Sequence, residues 1–523
     1  MTSVLIIEDE GDFGRALAMT LVNAGFEVNL VSSAAEARLS LARGHVHLVC
    51  ADMALEGGLA AAAAATHRQG NPGIPLIAMA TKDNVAVRRR SEQYNAAAFL
   101  VKPFVPSRFA EMVTALLREA ESGPAADTSR PSVMMYSHDT IGLGHMRRNS
   151  AIAAEVADAM PSCSVLMTVG CPAGVVFDLD PGVDVVKLPS LAKAARDIWR
   201  PSSLRVSSGM ARSLRMGILE RTATELRPDV LLVDHEPGGV WSELLPTLKT
   251  LRESGGTEVI LGLRDILDDP DRVKTGWRER GVTDLIGEYY DHILVYGDER
   301  LYPSSNLYGL EELAPGRVHY CGYVTTVAPP GTANPPPAGG GGILVSGGGG
   351  RDAFPVLAAA LEGLGRLPSG SRPAMILVAG PLMDHELFET LQQRASDLGA
   401  LVLRSTPDIP GMLRRADLFV SMAGYNSLTE AMAVGCPTLV IPRVGPSSEQ
   451  RIRAGMLAER GLVETLSIGD ATPDVLARRF ARLGGTRQPR PVIPSLNGVE
   501  VAGSFITDIL SAKHPQLPVK TVE

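Results

Sequence analysis

Four short apolar runs near the start of the chain each lead into a residue suited to phosphoryl chemistry. Val4-Leu5-Ile6-Ile7 ends in Glu8-Asp9-Glu10, and His47–Ala51 ends in Asp52. Leu76–Ala80 ends in Thr81, and Ala97–Val101 ends in Lys102-Pro103-Phe104. Continuous apolar runs of this length suit strands buried on both faces. Parallel strands put their C-terminal ends along one edge, where open α/β sheets bind ligands. Glu8, Asp9, Asp52, Thr81 and Lys102 should therefore converge there. Clustered carboxylates suit a hard divalent ion such as Mg²⁺. With negative charge offset in this way, a carboxylate can attack phosphorus, and a lysine can pair with the phosphoryl oxygens.

A second set of residues suits a larger anion. Val133–Ser137 reads as a strand, followed by a loop through Gly142, Gly144 and His145, then a helical pattern from Met146 to Met160. Glycines between a strand and a helix start let an anionic ligand approach backbone N–H groups. The full G-x-G-x-x-G is absent because Arg147 stands at its third position. Arg147 and Arg148 either add phosphate contacts or form a solvated charged face. Further on, Ile343–Ser346 is followed by Gly347–Gly350, and Asp417–Ser421 by Met422-Ala423-Gly424. The second of these turns leads into a helix starting near Asn426 or Ser427, whose N–H groups could hold a diphosphate. Glu430, about one turn in, could accept both hydroxyls of a ribose. Arg264 and Arg443 end strands facing one cleft, so each is a diphosphate clamp or a structural ion pair. Asp234-His235-Glu236 also ends a strand, which makes His235 and Glu236 acceptor contacts or rival bases. Asp268-Asp269 reads as a turn or capping pair rather than a metal motif.

The elements that must position these residues are strands alternating with helix-length amphipathic segments, the pattern of βαβ units and parallel sheets. A chain of 523 residues allows about three domains. Two Pro/Gly/Ser-rich stretches without hydrophobic periodicity, 121–131 and 328–342, read as linkers. They separate residues 1–120, 132–327 and 343–486. A tail, 487–523, carries a helix over Gly498–Ser511. The net charge of −8 offers no chain-wide footprint for nucleic acid, and no helix-turn-helix segment follows the first domain. No apolar run reaches the roughly 18 residues of a membrane span, and Met1–Asp9 does not read as a signal peptide. The five cysteines are scattered without C-x-x-C, which fits a reducing cytosol better than a disulfide framework.

Leu5-Ile6-Ile7-Glu8-Asp9-Glu10, Ala51-Asp52-Met53 and Val101-Lys102-Pro103-Phe104 together make the first block resemble the response-regulator receiver family over its whole length. That resemblance implies Asp52 as phosphoacceptor, with Glu8, Asp9 and the Ala54 carbonyl around Mg²⁺. It implies Lys102 as the phosphoryl-binding lysine and Phe99 as the aromatic switch. The family's Thr/Ser-Ala order is reversed here to Ala80-Thr81, and its usual Pro is replaced by Glu56-Gly57-Gly58. Either Thr81 reaches the phosphoryl group from one position later or the hydroxyl switch is weakened. A receiver that has lost phosphorylation and only dimerises is the competing reading.

Val133 to about Val463, and Ser421–Gln450 above all, resembles the GT-B glycosyltransferases. The group includes the peptidoglycan N-acetylglucosaminyltransferase and the glucuronosyl and glucosyl transferases. The expected fold is α/β, with three doubly wound parallel-sheet domains: a flavodoxin-like receiver and two Rossmann-like GT-B domains, the first for acceptor and the second for donor. The resemblance implies that Ser346, Gly347 and Gly348 approach the donor phosphates. It implies that Gly424, Asn426, Ser427 and Thr429 hold the diphosphate and that Glu430 holds the ribose. Glu449 and Gln450 would meet the donor sugar, and Pro407–Pro410 would read the base. His145 falls on the acceptor side as general base, and no metal is required for transfer.

The resulting expectation is a glycosyltransferase using a nucleotide-diphosphate sugar, a UDP-sugar first, regulated by phosphorylation at Asp52. A GT-B nucleotide-sugar epimerase and a non-catalytic nucleotide-sugar sensor are the alternatives. The expected partners are a sensor histidine kinase or phosphotransfer protein, a glycan or lipid-linked acceptor, and a second copy of the chain. The expected location is the cytoplasm, with at most peripheral contact at the inner face of the membrane.

Overall fold

The structure, a computed structural model, describes residues 2–42, 45–55, 74–82, 87–88, 91, 96–126, 130–137, 143–171, 179–195, 198–325, 341–445, 447–483, 493–518 and 520. Gly142, the segment Glu56-Gly57-Gly58 and most of the second linker lie outside them. The chain forms two compact units, Met1–Arg130 and Pro131–Glu523.

In the first unit, β1 (Ser3–Ile7), β2 (Glu27–Val31), β3 (Leu48–Asp52), β4 (Leu76–Ala80) and β5 (Ala98–Val101) form one parallel sheet in the order β2-β1-β3-β4-β5. Side chains alternate faces along a strand, so this sheet has two cores. Val4 and Ile6 pack with Leu17, Leu21, Phe109 and Val113, whereas Leu5 and Ile7 pack with Val49, Ala51 and Ala78. The helix carrying Phe109 and Val113 runs Pro106–Ala126, so Glu121–Ala126, assigned to a linker by composition, is helical. Phe109, Val113 and Leu117 dock this helix on the sheet, and the helix runs on through Gly123-Pro124, which local propensity would have ended.

The second unit holds two parallel sheets. The first takes β6 (Ser132–Ser137), β7 (Ser164–Val169), β8 (Val183–Lys187), β11 (Val230–Asp234), β12 (Glu258–Arg264), β13 (His292–Tyr296) and β14 (Val318–Tyr320), ordered β14-β13-β12-β11-β6-β7-β8. Between β8 and β11 lies an antiparallel pair, β9 (Leu191–Ala195) and β10 (Ile198–Pro201). This pair was not legible in the sequence, because its residues show neither apolar alternation nor a hairpin turn signature. The second sheet takes β15 (Ile343–Ser346), β16 (Met375–Val378), β17 (Leu401–Leu403), β18 (Leu418–Ser421), β19 (Thr438–Val440) and β20 (Glu464–Thr465), ordered β17-β16-β15-β18-β19-β20. The strand order reverses beside β6 in one sheet and beside β15 in the other. At such switch points loops diverge and leave a crevice.

One core runs from the first sheet into the second half of the unit. It joins β6, β11 and β13 residues to Tyr425, Leu428, Met432 and Leu457. The helix Gly498–Lys513 closes it, burying Ala502, Ile506 and Leu510 alongside Ile152 and Val156 of the helix Leu143–Ala159. Gly503 is required at this crossing, since a Cβ there would come within 2.3 Å of Glu155 Cγ. Lys513 Nζ then donates to the Asp229 carbonyl at 2.9 Å. Leu510→Ala should cost the second unit about 2–5 kcal/mol, the usual range for emptying a fully buried site. Urea unfolding of the full chain would show this as a lower midpoint for the second unit alone.

Candidate functional site

At the edge of the first sheet, Glu8 and Asp9 follow β1, Asp52 ends β3 and Lys102 follows β5. Lys102 Nζ lies 2.5 Å from Asp52 Oδ2 and 2.6 Å from Glu8 Oε2. The second Asp52 oxygen accepts the Ala54 N–H at 2.7 Å. Glu8, Asp9 and Asp52 each offer a carboxylate oxygen, all within 4.8 Å of one another. That is the hard-oxygen set a divalent ion such as Mg²⁺ takes, so the residues present fit the ion. Burial pushes the Glu8 carboxyl up against the pull of Lys102. Burial would lower the Lys102 ammonium, but its bonds to Asp52 and Glu8 win and hold it charged. Phe99 is half-buried against the core, with the Arg88 guanidinium 5.3 Å from its ring centre. Ala80 is the buried last residue of β4, and Thr81 beyond it is exposed.

In the second unit the strand ends assemble a different site. The first turn of the helix Leu143–Ala159 carries His145, and β11 ends in Asp234. His145 Nδ1 lies 2.5 Å from Asp234 Oδ2, while Arg148 Nη2 donates to Asp234 Oδ1 at 2.5 Å. A carboxylate partner favours the proton on Nδ1, which makes Nε2 the basic nitrogen of the ring. Burial alone would raise the Asp234 carboxyl. The Arg148 guanidinium and His145 reverse this and hold it far below the usual carboxylate range. Arg148 is itself buried, 5.0 Å from the Tyr296 ring centre and 5.6 Å from that of Tyr425. His235 stacks 5.2 Å from His145, with a left-handed φ of 69°. Asp234 is the residue sequence reasoning passed over in favour of its neighbours His235 and Glu236. Its signal was a lone acid closing the apolar run Val230–Val233.

The second sheet supplies the opposite wall. Ala423 takes a left-handed φ of 65°, and Gly424 caps the helix Tyr425–Val434. Gly347 packs so tightly that a Cβ would lie 2.3 Å from the Ala353 side chain. A cleft of about 440 Å³ is lined by Gly144, His145, Arg264, Ser346, Gly348, Gly424, Asn426, Ser427, Glu430, Arg443, Glu449 and Gln450. Gly347 lines an adjoining pocket of about 300 Å³. Thr406 and Ile409 border the cleft where Pro407–Pro410 was expected to read a base. Two helix N-termini and several arginines meet there, so the cleft favours an anion.

The structure gives several of the expected site residues specific partners. Thr429 is buried and its hydroxyl donates back to the Asn426 carbonyl at 2.9 Å, within its own helix. Glu449 lines the cleft with its Oε1 held by Arg264 at 2.6 Å and Arg453 at 2.9 Å. Burial would raise the Glu449 carboxyl, but these arginines lower it. Arg264 is accordingly half of an ion pair, and Arg443 pairs with Asp352 at 2.8 Å. Arg147 and Arg148 do not form a solvated face: Arg148 is buried on Asp234, and Arg147 reaches Glu430 at 2.8 Å. Arg453 itself was not singled out in the sequence. It also donates to Asp265 Oδ1 at 3.1 Å and to the Ala423 carbonyl at 3.1 Å, tying the two sheets together. Asp269 caps the helix Pro270–Glu279, and Asp268 accepts the Ser448 N–H at 2.8 Å.

Residues 4–114 match the response regulator receiver domain, and residues 344–486 match the glycosyltransferase family 28 C-terminal domain. The chain therefore carries a receiver domain at its start and a glycosyltransferase family 28 C-terminal domain over residues 344–486. UDP-glycosyltransferase CGT of Oryza sativa subsp. indica is 34% identical over 125 residues, covering 21% of this chain and 24% of that protein. The transcriptional regulatory protein PcoR of Escherichia coli is 28% identical over 125 residues, covering 24% of this chain and 55% of that protein. The chain thus spans only a quarter to about half the length of these relatives. The crystal structure of Acinetobacter baumannii MurG aligns with a TM-score of 0.46 at 16% identity, over 73% of this chain and 99% of that one. Among the described residues no helix is long and apolar enough to cross a membrane.

Both Asp234 and Glu449 have carboxyls lower in the folded state than in an unfolded chain. Their ionised forms stabilise the second unit above the ordinary carboxylate range near pH 4, and that stability is lost as pH falls toward the lower folded values. The urea midpoint of the second unit should therefore drop on going from about pH 5 to about pH 3. Asp234→Asn and Glu449→Gln should each flatten that drop while lowering the midpoint at neutral pH.

Proposed function

We propose that the cleft transfers a glycosyl group from a nucleoside-diphosphate sugar to an acceptor hydroxyl, and that phosphorylation of Asp52 regulates this. The observation that carries the reading is the His145–Asp234 pair opening onto the same cleft as the helix N-terminus at Gly424. His145 Nε2 takes the proton of the acceptor hydroxyl as its oxygen bonds to the anomeric carbon. The bond from that carbon to the phosphate oxygen breaks, and its electron pair leaves on the nucleoside diphosphate. Backbone N–H groups at Gly424–Ser427, together with Arg443, face the charge that develops there. Asp234 keeps His145 in the right tautomer and stabilises the imidazolium. The rice relative is named for UDP-dependent transfer, so UDP-sugars are the first donors to test.

In the receiver, Asp52 takes the phosphoryl group from a histidine kinase or phosphotransfer protein, with Lys102 against the phosphoryl oxygens. The ion that Glu8, Asp9 and Asp52 would hold offsets charge during that transfer. This reading locates the chain in the cytoplasm, which its five buried, disulfide-free cysteines suit.

Transfer of labelled sugar from a panel of nucleotide sugars tests the enzyme. His145→Ala should lower kcat by roughly 10²–10⁴-fold, the usual contribution of a general base, without weakening donor binding in calorimetry. If intact protein turns over no nucleotide sugar, the reading fails. Labelled acetyl phosphate with Mg²⁺ should modify the wild type but not Asp52→Asn, and transfer rates should differ between the modified and unmodified enzyme. Equal rates would remove the regulatory half of the proposal.

A further inference from the structure

Two contacts cross the cleft between helix starts. The helix Leu143–Ala159 presents Gly144 and Arg147 on one face, and the helix Tyr425–Val434 presents Asn426 and Glu430 on one face. Asn426 Nδ2 donates to the Gly144 carbonyl at 3.3 Å, and Arg147 Nη2 lies 2.8 Å from Glu430 Oε1. The two turns are thus pinned at points one helical turn apart. Resting on the reading above, we infer that Arg147 is a positioning residue for the donor: it pairs with one oxygen of the Glu430 carboxylate and aims the other to accept the ribose hydroxyls.

Glu430 is only 5% exposed, and an unpaired carboxylate buried that deeply is driven toward its protonated form. Burial pushes the Glu430 carboxyl up, and Arg147 offsets part of that rise. A carboxylate has two oxygens and about four lone-pair positions. Arg147 takes Oε1, and no other hydrogen bond to Glu430 is present among the described residues. Oε2 is left for a diol, and Glu430 lines the cleft. Protonation would make that group a donor on one oxygen and free its rotamer, removing its match to two hydroxyls. The carboxylate belongs to the second sheet and its counter-ion to the first, so the ribose site is complete only when the two helix starts meet. Discrimination between ribose and deoxyribose is therefore a property of both halves of the unit.

Calorimetry on the full chain tests this with UDP, GDP and ADP, each beside its 2′-deoxy form. Wild type should bind at least one of the three, and bind its ribose form more tightly than its deoxy form. Arg147→Met should weaken the ribose form by roughly 10- to 100-fold, the scale of a lost bond to a charged group, and weaken the deoxy form less, because that form offers only its 3′-hydroxyl. That loss should shrink as pH is raised, as the unpaired Glu430 ionises. Arg147→Lys should keep most of the discrimination. Undiminished ribose preference in Arg147→Met at every pH overturns the inference and leaves the proposed function standing. Failure of wild type to bind any of the three diphosphates overturns both.

Discussion

An ionised carboxylate shut away from water must be compensated where it stands, and Asp234 sets that requirement at the floor of the cleft. Its two oxygens are answered separately, one by His145 and one by Arg148. Leaving either charge of such a pair alone costs about 3–5 kcal/mol, so the group stands or falls together. Arg148 in turn needs a lining that tolerates a buried cation. Tyr296 of the first sheet and Tyr425 of the second supply aromatic faces for it. Tyr425 is fixed by its own hydroxyl, which donates to the Tyr296 carbonyl and accepts the Val324 N–H. The orientation of one imidazole thus depends on packing between two sheets.

The same pattern recurs on the other side of the cleft. Asp265 and Arg264 come from the end of β12, Glu449 and Arg453 from the second half, and each charge meets an opposite one across the boundary. Around them the cleft keeps glycines, helix starts and Arg443. Negative charge is consumed inside the framework, and the helix N-termini remain directed at the space between the sheets. Such a site favours an anion, whereas a divalent ion takes clustered carboxylates. Among the described residues the one carboxylate cluster of that type lies in the receiver unit, at Glu8, Asp9 and Asp52.

The receiver's charge balance differs in kind. Lys102 sits between Asp52 and Glu8 with both distances near 2.5 Å. One ammonium shared by two carboxylates leaves net negative charge, which suits a cation and an incoming phosphoryl group. Ala80 at the end of β4 brings no hydroxyl to this cluster, and Thr81 is exposed to solvent. The reversed order of these two residues therefore separates the acidic chemistry, which is intact, from the hydroxyl that the family places beside it.

What the sequence determined by itself was whatever local pattern controls. Continuous apolar runs marked buried parallel strands, and the acids, lysine and glycines at their ends marked one edge of each sheet, because a strand must end before its backbone can turn to a ligand. Asp52, Lys102, His145, Gly424 and Glu430 were legible for that reason. Only the tertiary structure decided what each charge is for. Arg147, Arg148, Arg264, Glu449 and Arg453 have partners 30 to nearly 300 residues away or across the cleft, such as Arg147 with Glu430 and Arg453 with Asp265. Pairing over such separations depends on how two sheets and a closing helix pack, and burial then fixes which charges must be neutralised. No periodicity along the chain records either.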